Sequence, residues 1–481
     1  MRSHGRTPAK ITNESLRLRM TRFTGPISLA DALRAARDTR CLEIGEGVVA
    51  ESPRVFREQF GERPAIIVAD TNTFAAAGQN VRDVLRTAHH PVLEPFVFRD
   101  PGLYAEHRFL EELESCLRQH EAVPVAVGSG TINDLTKLAA HRTGRPYLCV
   151  ATAASMDGYT SFGASITHQG SKQTFHCAAP AAVIADLEVI RAAPPAMNAW
   201  GYADLLAKTT AGADWILADA LGVEPIDPRA WSIVQSRLRE ALAEPAGVRA
   251  GQKEAIGRLI EGLLLGGFAM QASQSSRPAS GAEHQFSHLW DMQHHTHHGS
   301  APSHGLKVGI GTLAVTALYE CLLTKPLQEL DVDAHAATWL EEAAWVRRAC
   351  ERFGEGELRA VAIREISAKN VSPAQIRTQL DQLRSTWPQL AGRLRQQLLP
   401  SASLREMLRG AGAATEPEQI GISRARLRES FWQAFFIRRR FTVLDLAVRT
   451  GELDSCLDKI FGPNGVWPLG PEANPSIPPM S

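Results

Sequence analysis

His284 and His288 stand four residues apart in Glu283-His284-Gln285-Phe286-Ser287-His288, a spacing that puts both imidazoles on one face of a helix. His304 follows in Pro302-Ser303-His304-Gly305. The carboxylate such a set needs must come from elsewhere, and Asp204, in Gly201-Tyr202-Ala203-Asp204, is the best-placed candidate. Two histidines and one carboxylate, with a position left open, form a catalytic divalent-metal arrangement. A solvated or core helix face is the plainer explanation of a His pair at this spacing. A second cluster, His294, His295, His297 and His298, lies between the candidate ligands and is expected to be a flexible His-rich loop.

Two further segments have the chemistry of a polar-ligand site. Gly128-Ser129-Gly130-Thr131 follows the buried run Val123-Pro124-Val125-Ala126-Val127 and opens a helical stretch to His141. Glycines there let a backbone approach a phosphate, and a helix N-terminus offers unpaired N–H groups. A plain strand-to-helix turn accounts for the same residues. Thr152-Ala153-Ala154-Ser155-Met156-Asp157-Gly158-Tyr159-Thr160-Ser161 comes directly after the run Tyr147–Ala151 and supplies hydroxyls and one acid at a strand end. Asp70, closing the run Pro64–Ala69, sits where α/β nucleotide sites place an acid on a ribose hydroxyl.

The elements that must position these residues fall into two regions. Buried runs alternating with helical stretches indicate a parallel sheet covered on both faces, to about residue 195. Beyond it the β signal fades and Ala-, Leu- and Arg-rich stretches with helical spacing take over, among them 334–350 and 423–448. Ser372-Pro373 reads as a cap with a first-turn proline. The expected organisation is therefore a disordered basic tail over 1–25, an α/β domain over 26–195, an all-α domain over 196–462 and a loose proline-rich tail over 463–481.

Composition narrows the function. The 481 residues carry 52 basic and 52 acidic side chains, and zero net charge gives no support to whole-surface attraction for nucleic acid. No run of 18 apolar residues is present, so stable membrane insertion is not expected. Seven scattered cysteines without a C-x-x-C pair fit a reducing compartment, and a cytoplasmic protein is expected.

Taken together, these segments resemble the sn-glycerol-1-phosphate dehydrogenase family, within the superfamily of iron-containing alcohol dehydrogenases and dehydroquinate synthases. The likeness is carried by Gly128 to Asp134, Thr152 to Ser161, Ala179 to Asp186, Asp204 to Lys208, Ser280 to Trp290, His304 to Gly309 and Phe441 to Leu446, within residues 40–460. It implies a Rossmann-like NAD(P)-binding domain, a helical metal- and substrate-binding domain, and an active site in the cleft between them. Gly128, Ser129, Gly130, Thr131 and Ile132 would cradle the NAD(P)H pyrophosphate. Thr152, Ala153, Ala154, Ser155 and Ser161 would also face the cofactor. Asp204, His284 and His304 would hold one divalent ion, Zn²⁺ or Ni²⁺ in relatives, and Asp157, Asp204 and His288 would contact the substrate as the catalytic group. The stretch between His284 and His304 is longer than the family pattern, with Gln293 to His298 as an insertion.

The implied reaction is reversible reduction of dihydroxyacetone phosphate to sn-glycerol 1-phosphate, with the substrate C2 oxygen on the ion and hydride from the nicotinamide. Lys307 and Lys172 are the candidate phosphate donors. A polyol dehydrogenase acting on unphosphorylated glycerol and an NAD- and metal-dependent cyclase of the dehydroquinate synthase type are the competing enzymes. A nucleotide- or metal-binding regulatory protein is the non-enzymatic alternative, and a homo-oligomer is compatible with the sequence.

Overall fold

The computed structural model describes residues 27–168 and 171–469; the side chains of Ser171 and Lys172, and the tail assigned to 1–25, lie outside the described residues. Six strands form one parallel sheet: β1 (Cys41–Gly45), β2 (Ala65–Asp70), β3 (Phe96–Phe98), β4 (Val123–Gly128), β5 (Leu148–Ala151) and β8 (Ala182–Asp186). A separate antiparallel hairpin, β6 (Ala164–His168) with β7 (Ser171–Phe175), lies between β5 and β8 in sequence.

The three runs legible in the sequence are β2, β4 and β5, whose apolar residues are buried on both faces of the sheet. Alternation along β2 divides them: Ile67 packs into one cluster with Val125, Val150 and Ile184, and Ile66 and Val68 into another. The second cluster runs without a break into the helical region, so one core joins the sheet to the helices. The edge strands β1 and β3 left a weaker signal. All five residues of β1 are half-buried, and β3 has only three residues.

The strand order is β1-β8-β5-β4-β2-β3. The chain leaves β2 toward β3 on one side and returns to β4 on the other. The sheet's order therefore reverses between the C-terminal ends of β2 and β4, the crevice where open α/β sheets bind ligands. Asp70 and Gly128 are the residues at those two ends.

From Leu187 onward the described chain is helical. The stretch 334–350 divides into Val332–Ala337 and Glu342–Arg352, and 423–448 into Arg424–Phe436 and Val443–Arg449. Ser372 caps the helix Pro373–Gln397 through the backbone N–H of Gln375. The helix His304–Leu322 is apolar enough to cross a bilayer by length and composition, with a mean hydropathy of 1.3. Of its 18-residue apolar window 89% is buried inside the protein, which makes it a core helix.

One expectation fails at the C-terminal end. The loose tail does not begin at 463, because Trp467 is fully buried, 6.1 Å from the ring of Phe461. Its N–H donates to Ile460 O at 3.0 Å, and Arg424 donates to Pro468 O at 3.0 Å. A proline-rich stretch without periodicity concealed a single large anchor residue. Residues 470–481 lie outside the described residues.

Candidate active site

Three helices bring the metal-type residues together. Asp204 lies in the last turn of Pro195–Leu206, His284 in the first turn of Ala282–Met292, and His304 is the first residue of His304–Leu322, capped by the Ser303 side chain. Glycines set the helix spacing where it is tightest. A Cβ on Gly305 would lie 2.0 Å from Trp200 O, and one on Gly201 would lie 1.9 Å from Ala154 O. At such contacts only a glycine lets one backbone reach the other.

One potential ligand atom from each of Asp204, His284 and His304 lies within 4.8 Å of the others. His284 Nε2 is 3.6 Å from Asp204 Oδ1, while its Nδ1 lies 2.8 Å from Glu283 Oε1. Glu283 is itself fixed by the Thr210 hydroxyl at 2.9 Å and the Gly281 N–H at 2.5 Å. With Nδ1 donating to Glu283, Nε2 keeps its lone pair on the Asp204 side, the tautomer a metal requires. The Ser287 hydroxyl lies 3.3 Å from His304 Nδ1. The His288 ring stands one turn along, 6.3 Å from that of His284 and 6.4 Å from that of His304.

Lys208 is the polar residue that residue-by-residue reading left without a role. It is fully buried, its Nζ lying 2.9 Å from Asp204 Oδ1 and 2.6 Å from Asp157 Oδ2. Its signal was present as Asp204 and Lys208 four apart, though here the pair spans the join of two helices. Burial opposes ionisation of Asp204, but Lys208, His304 and His284 outweigh it and hold the carboxyl at about 2. Burial and the neighbouring Asp204 charge push Asp157 up, against the pull of Lys208. Asp204 therefore stays ionised while Asp157 is the easier of the two to protonate. Asp157 N–H also donates to Asp204 Oδ2 at 3.0 Å, tying the segment after β5 to the Asp204 helix.

The glycine turn lies where the strand order reverses. The helix Gly130–Arg142 begins at the end of β4, and no side chain caps its N-terminus. Gly128, Ser129, Gly130, Thr131 and Ile132 form this strand-to-helix turn. A Cβ on Gly128 would lie 2.5 Å from that of Ile132. Thr152 N–H donates to Gly128 O at 3.2 Å, bringing Thr152 to Ser155 alongside the turn. Thr152, Ala153, Ala154, Ser155 and Ser161 are all buried. The buried Lys137 holds the Ser161 end, donating to Gly158 O and Gly163 O at 3.0 Å each. Asp70 Oδ1 accepts from the N–H groups of Asn72 and Thr73, 2.8 Å each, so that oxygen already serves as a helix cap.

Two further expectations meet a different structure. Lys307 is buried and paired with Asp291, so its charge is already compensated; the Lys172 side chain lies outside the described residues. The stretch 293–298 is also not a solvated loop throughout. His295 is buried, with Nε2 2.6 Å from Ile420 O and Nδ1 accepting from Arg426 at 2.9 Å. Gln293 accepts from Arg426 at 2.8 Å and donates to Gln433 at 2.9 Å. Gln293 and His295 are thus anchored on the helix Arg424–Phe436, and His304 still reaches His284.

Comparison with known proteins agrees with this architecture. Residues 43–194 match the iron-containing alcohol dehydrogenase family. A probable glycerol dehydrogenase from Sinorhizobium meliloti 1021 superposes with a TM-score of 0.56 at 16% identity, covering 88% of this chain and 98% of that one. The sheet and the helical region together have the fold of the iron-containing alcohol dehydrogenases. Glycerol-1-phosphate dehydrogenase (NAD(P)+) of Halalkalibacterium halodurans is 37% identical over 282 residues, 58% of this chain and 70% of the relative. The enzyme of the same name from Geobacillus stearothermophilus is 30% identical over 404 residues, 83% and 90% of the two chains. The chain belongs to the glycerol-1-phosphate dehydrogenase family of oxidoreductases.

Proposed function

We propose that the protein reduces dihydroxyacetone phosphate to sn-glycerol 1-phosphate with NAD(P)H, using one divalent ion held by Asp204, His284 and His304. The observation that carries this reading is the convergence of those three ligand atoms within 4.8 Å, on a histidine oriented by Glu283. The donor set fits a divalent cation, since it combines two imidazoles with a carboxylate that stays ionised. When bound, the ion supplies Lewis-acid polarisation of the substrate carbonyl.

The chain's own residues supply the rest. The uncapped turn Gly128–Ile132 and the buried segment Thr152–Ser155 with Ser161 hold the cofactor at the sheet crevice, with Asp70 beside its ribose. Asp157 and His288 flank the ligand set and contact the substrate. Asp157, whose carboxyl is pushed toward its protonated form while its Oδ2 faces Lys208 Nζ, would hold the proton that the reduced oxygen takes up. The residues 26–195 act as the cofactor-binding domain and 196–462 as the metal- and substrate-binding domain.

The test removes ligands one at a time. Asp204→Ala and His284→Ala should each lose bound metal and dihydroxyacetone phosphate reduction together, with circular dichroism unchanged. Full turnover by metal-free His284→Ala would sink the assignment. A cyclase would show no net loss of NAD(P)H in the same coupled assay.

A further inference from the structure

A cavity of about 530 Å³ is lined by His288, one helical turn from His284, and by Gln285, Arg438, Arg439 and Arg440. The three arginines occupy the break between the helices Arg424–Phe436 and Val443–Arg449. Glu365 and Glu224 also reach the wall, so the balance of charge depends on which arginines are already paired.

Arg439 is paired, donating to Glu365 Oε2 at 2.9 Å and Oε1 at 3.0 Å, and Arg364 takes the same carboxylate at 3.1 Å. Glu224, in the cavity lining, lies 3.5 Å from the buried Arg277 Nε. Arg440 is satisfied by neutral acceptors, Ser280 O at 2.7 Å and Ser276 Oγ at 2.8 Å, and Glu224 and Glu283 offset its charge only from beyond ion-pair distance. Arg438 is half-buried, and among the described residues no hydrogen bond or ion pair reaches its guanidinium, the charge of Glu365 acting on it only from a distance. A half-buried guanidinium with five donors and no acceptor leaves a polar demand that a ligand can meet. Gln285 also lines the cavity: it is buried, and its Nε2 donates to Arg440 O only at 3.5 Å, which leaves its amide N–H groups weakly engaged.

The wall carrying these groups is rigid. Arg277, fully buried, donates to Phe441 O at 2.9 Å and to Asp214 O at 2.6 Å. Val443 N–H donates to Asp214 Oδ1 at 2.8 Å, so the arginine loop is fixed at its far end too. A preformed pocket that holds the unpaired Arg438 guanidinium beside Arg440, with His288 in its lining, suits a phosphate dianion.

We propose that this cavity is the phosphate subsite, with Arg438 as the residue that takes the phosphate of the substrate and Arg440 as a supporting charge. The inference rests on the reading of the metal site given above and assigns the residues that select a phosphorylated three-carbon substrate over a free polyol.

The test compares wild type with Arg438→Gln and Arg438→Lys, each checked for metal content. Arg438→Gln should raise KM for dihydroxyacetone phosphate by about 10- to 100-fold, the range for a lost charged hydrogen bond. It should weaken binding of inorganic phosphate, measured by calorimetry, to a similar degree. The selectivity for dihydroxyacetone phosphate over dihydroxyacetone should collapse, and Arg438→Lys should recover part of it. Wild-type KM and wild-type phosphate affinity in a folded, metal-loaded Arg438→Gln protein overturn the subsite. If the wild type fails to reduce dihydroxyacetone phosphate, the functional reading falls instead, and phosphate calorimetry on the three proteins still decides the subsite.

Discussion

Replacing Gly201 by alanine tests whether the site depends on a backbone contact remote from the chemistry. The new Cβ would lie 1.9 Å from Ala154 O and 2.7 Å from the carbonyl carbon. Because Cβ atoms are not found within 3.0 Å of such an atom, the helix and the segment after β5 must separate by about 1.1 Å. The same two pieces of chain are joined by the Asp157 N–H bond to Asp204 Oδ2, now 3.0 Å. A shift along that line would stretch it to about 4 Å, beyond hydrogen-bond range. Overpacking costs about 1–3 kcal/mol and a lost bond to a charged acceptor about 1.5–3 kcal/mol. The unfolding entropy of a chain this long is roughly 1 kcal/mol/K, so Tm should fall by roughly 3–6 °C. A displacement near 1 Å at the reacting groups should also lower kcat/KM by about 100-fold. Calorimetry and steady-state kinetics on Gly201→Ala read both numbers. Wild-type Tm with kcat/KM within twofold would refute the reasoning, because the close approach would then carry no constraint.

Two other perturbations follow from buried charge. Lys208→Met leaves Asp157 and Asp204 buried without their shared cation, and should destabilise the metal-free protein by about 3–5 kcal/mol. Chelation should then lower Tm further than it does in wild type; an unchanged Tm gap counts against the shared-cation account. Asp214 is raised to about 7 by burial and the Glu283 charge, so the folded state favours its protonated form. Its contribution is full below the unfolded value near pH 4 and is lost as pH rises through 7, a span of roughly 4 kcal/mol. Urea unfolding of Asp214→Asn should lack that decline between pH 4 and 7, and its persistence would show that another group titrates.

The central strands were legible because β2, β4 and β5 are apolar on both faces, and the glycine turn because Gly128 ends one of them. The edges were not. β1 is only half-buried, so its residues carry no continuous apolar run, and the β6–β7 hairpin belongs to no large sheet that would impose one. Asp204, His284 and His304 could be gathered from residue type and resemblance. Their second layer could not, because Glu283 and Lys208 acquire meaning only when the helices converge. Charge misled in one place. Lys307 looked like a phosphate donor by type, yet Asp291 meets it, whereas Arg438 sits in a run of three arginines whose pairing differs residue by residue. Trp467 shows the same limit in packing, since one buried side chain leaves no periodic trace.

The most direct test of the account is the chirality of the product. Purified protein supplied with dihydroxyacetone phosphate, NAD(P)H and a divalent ion should form sn-glycerol 1-phosphate alone, with one NAD(P)H consumed for each product molecule. Formation of sn-glycerol 3-phosphate, or turnover of the substrate without net loss of NAD(P)H, would contradict it.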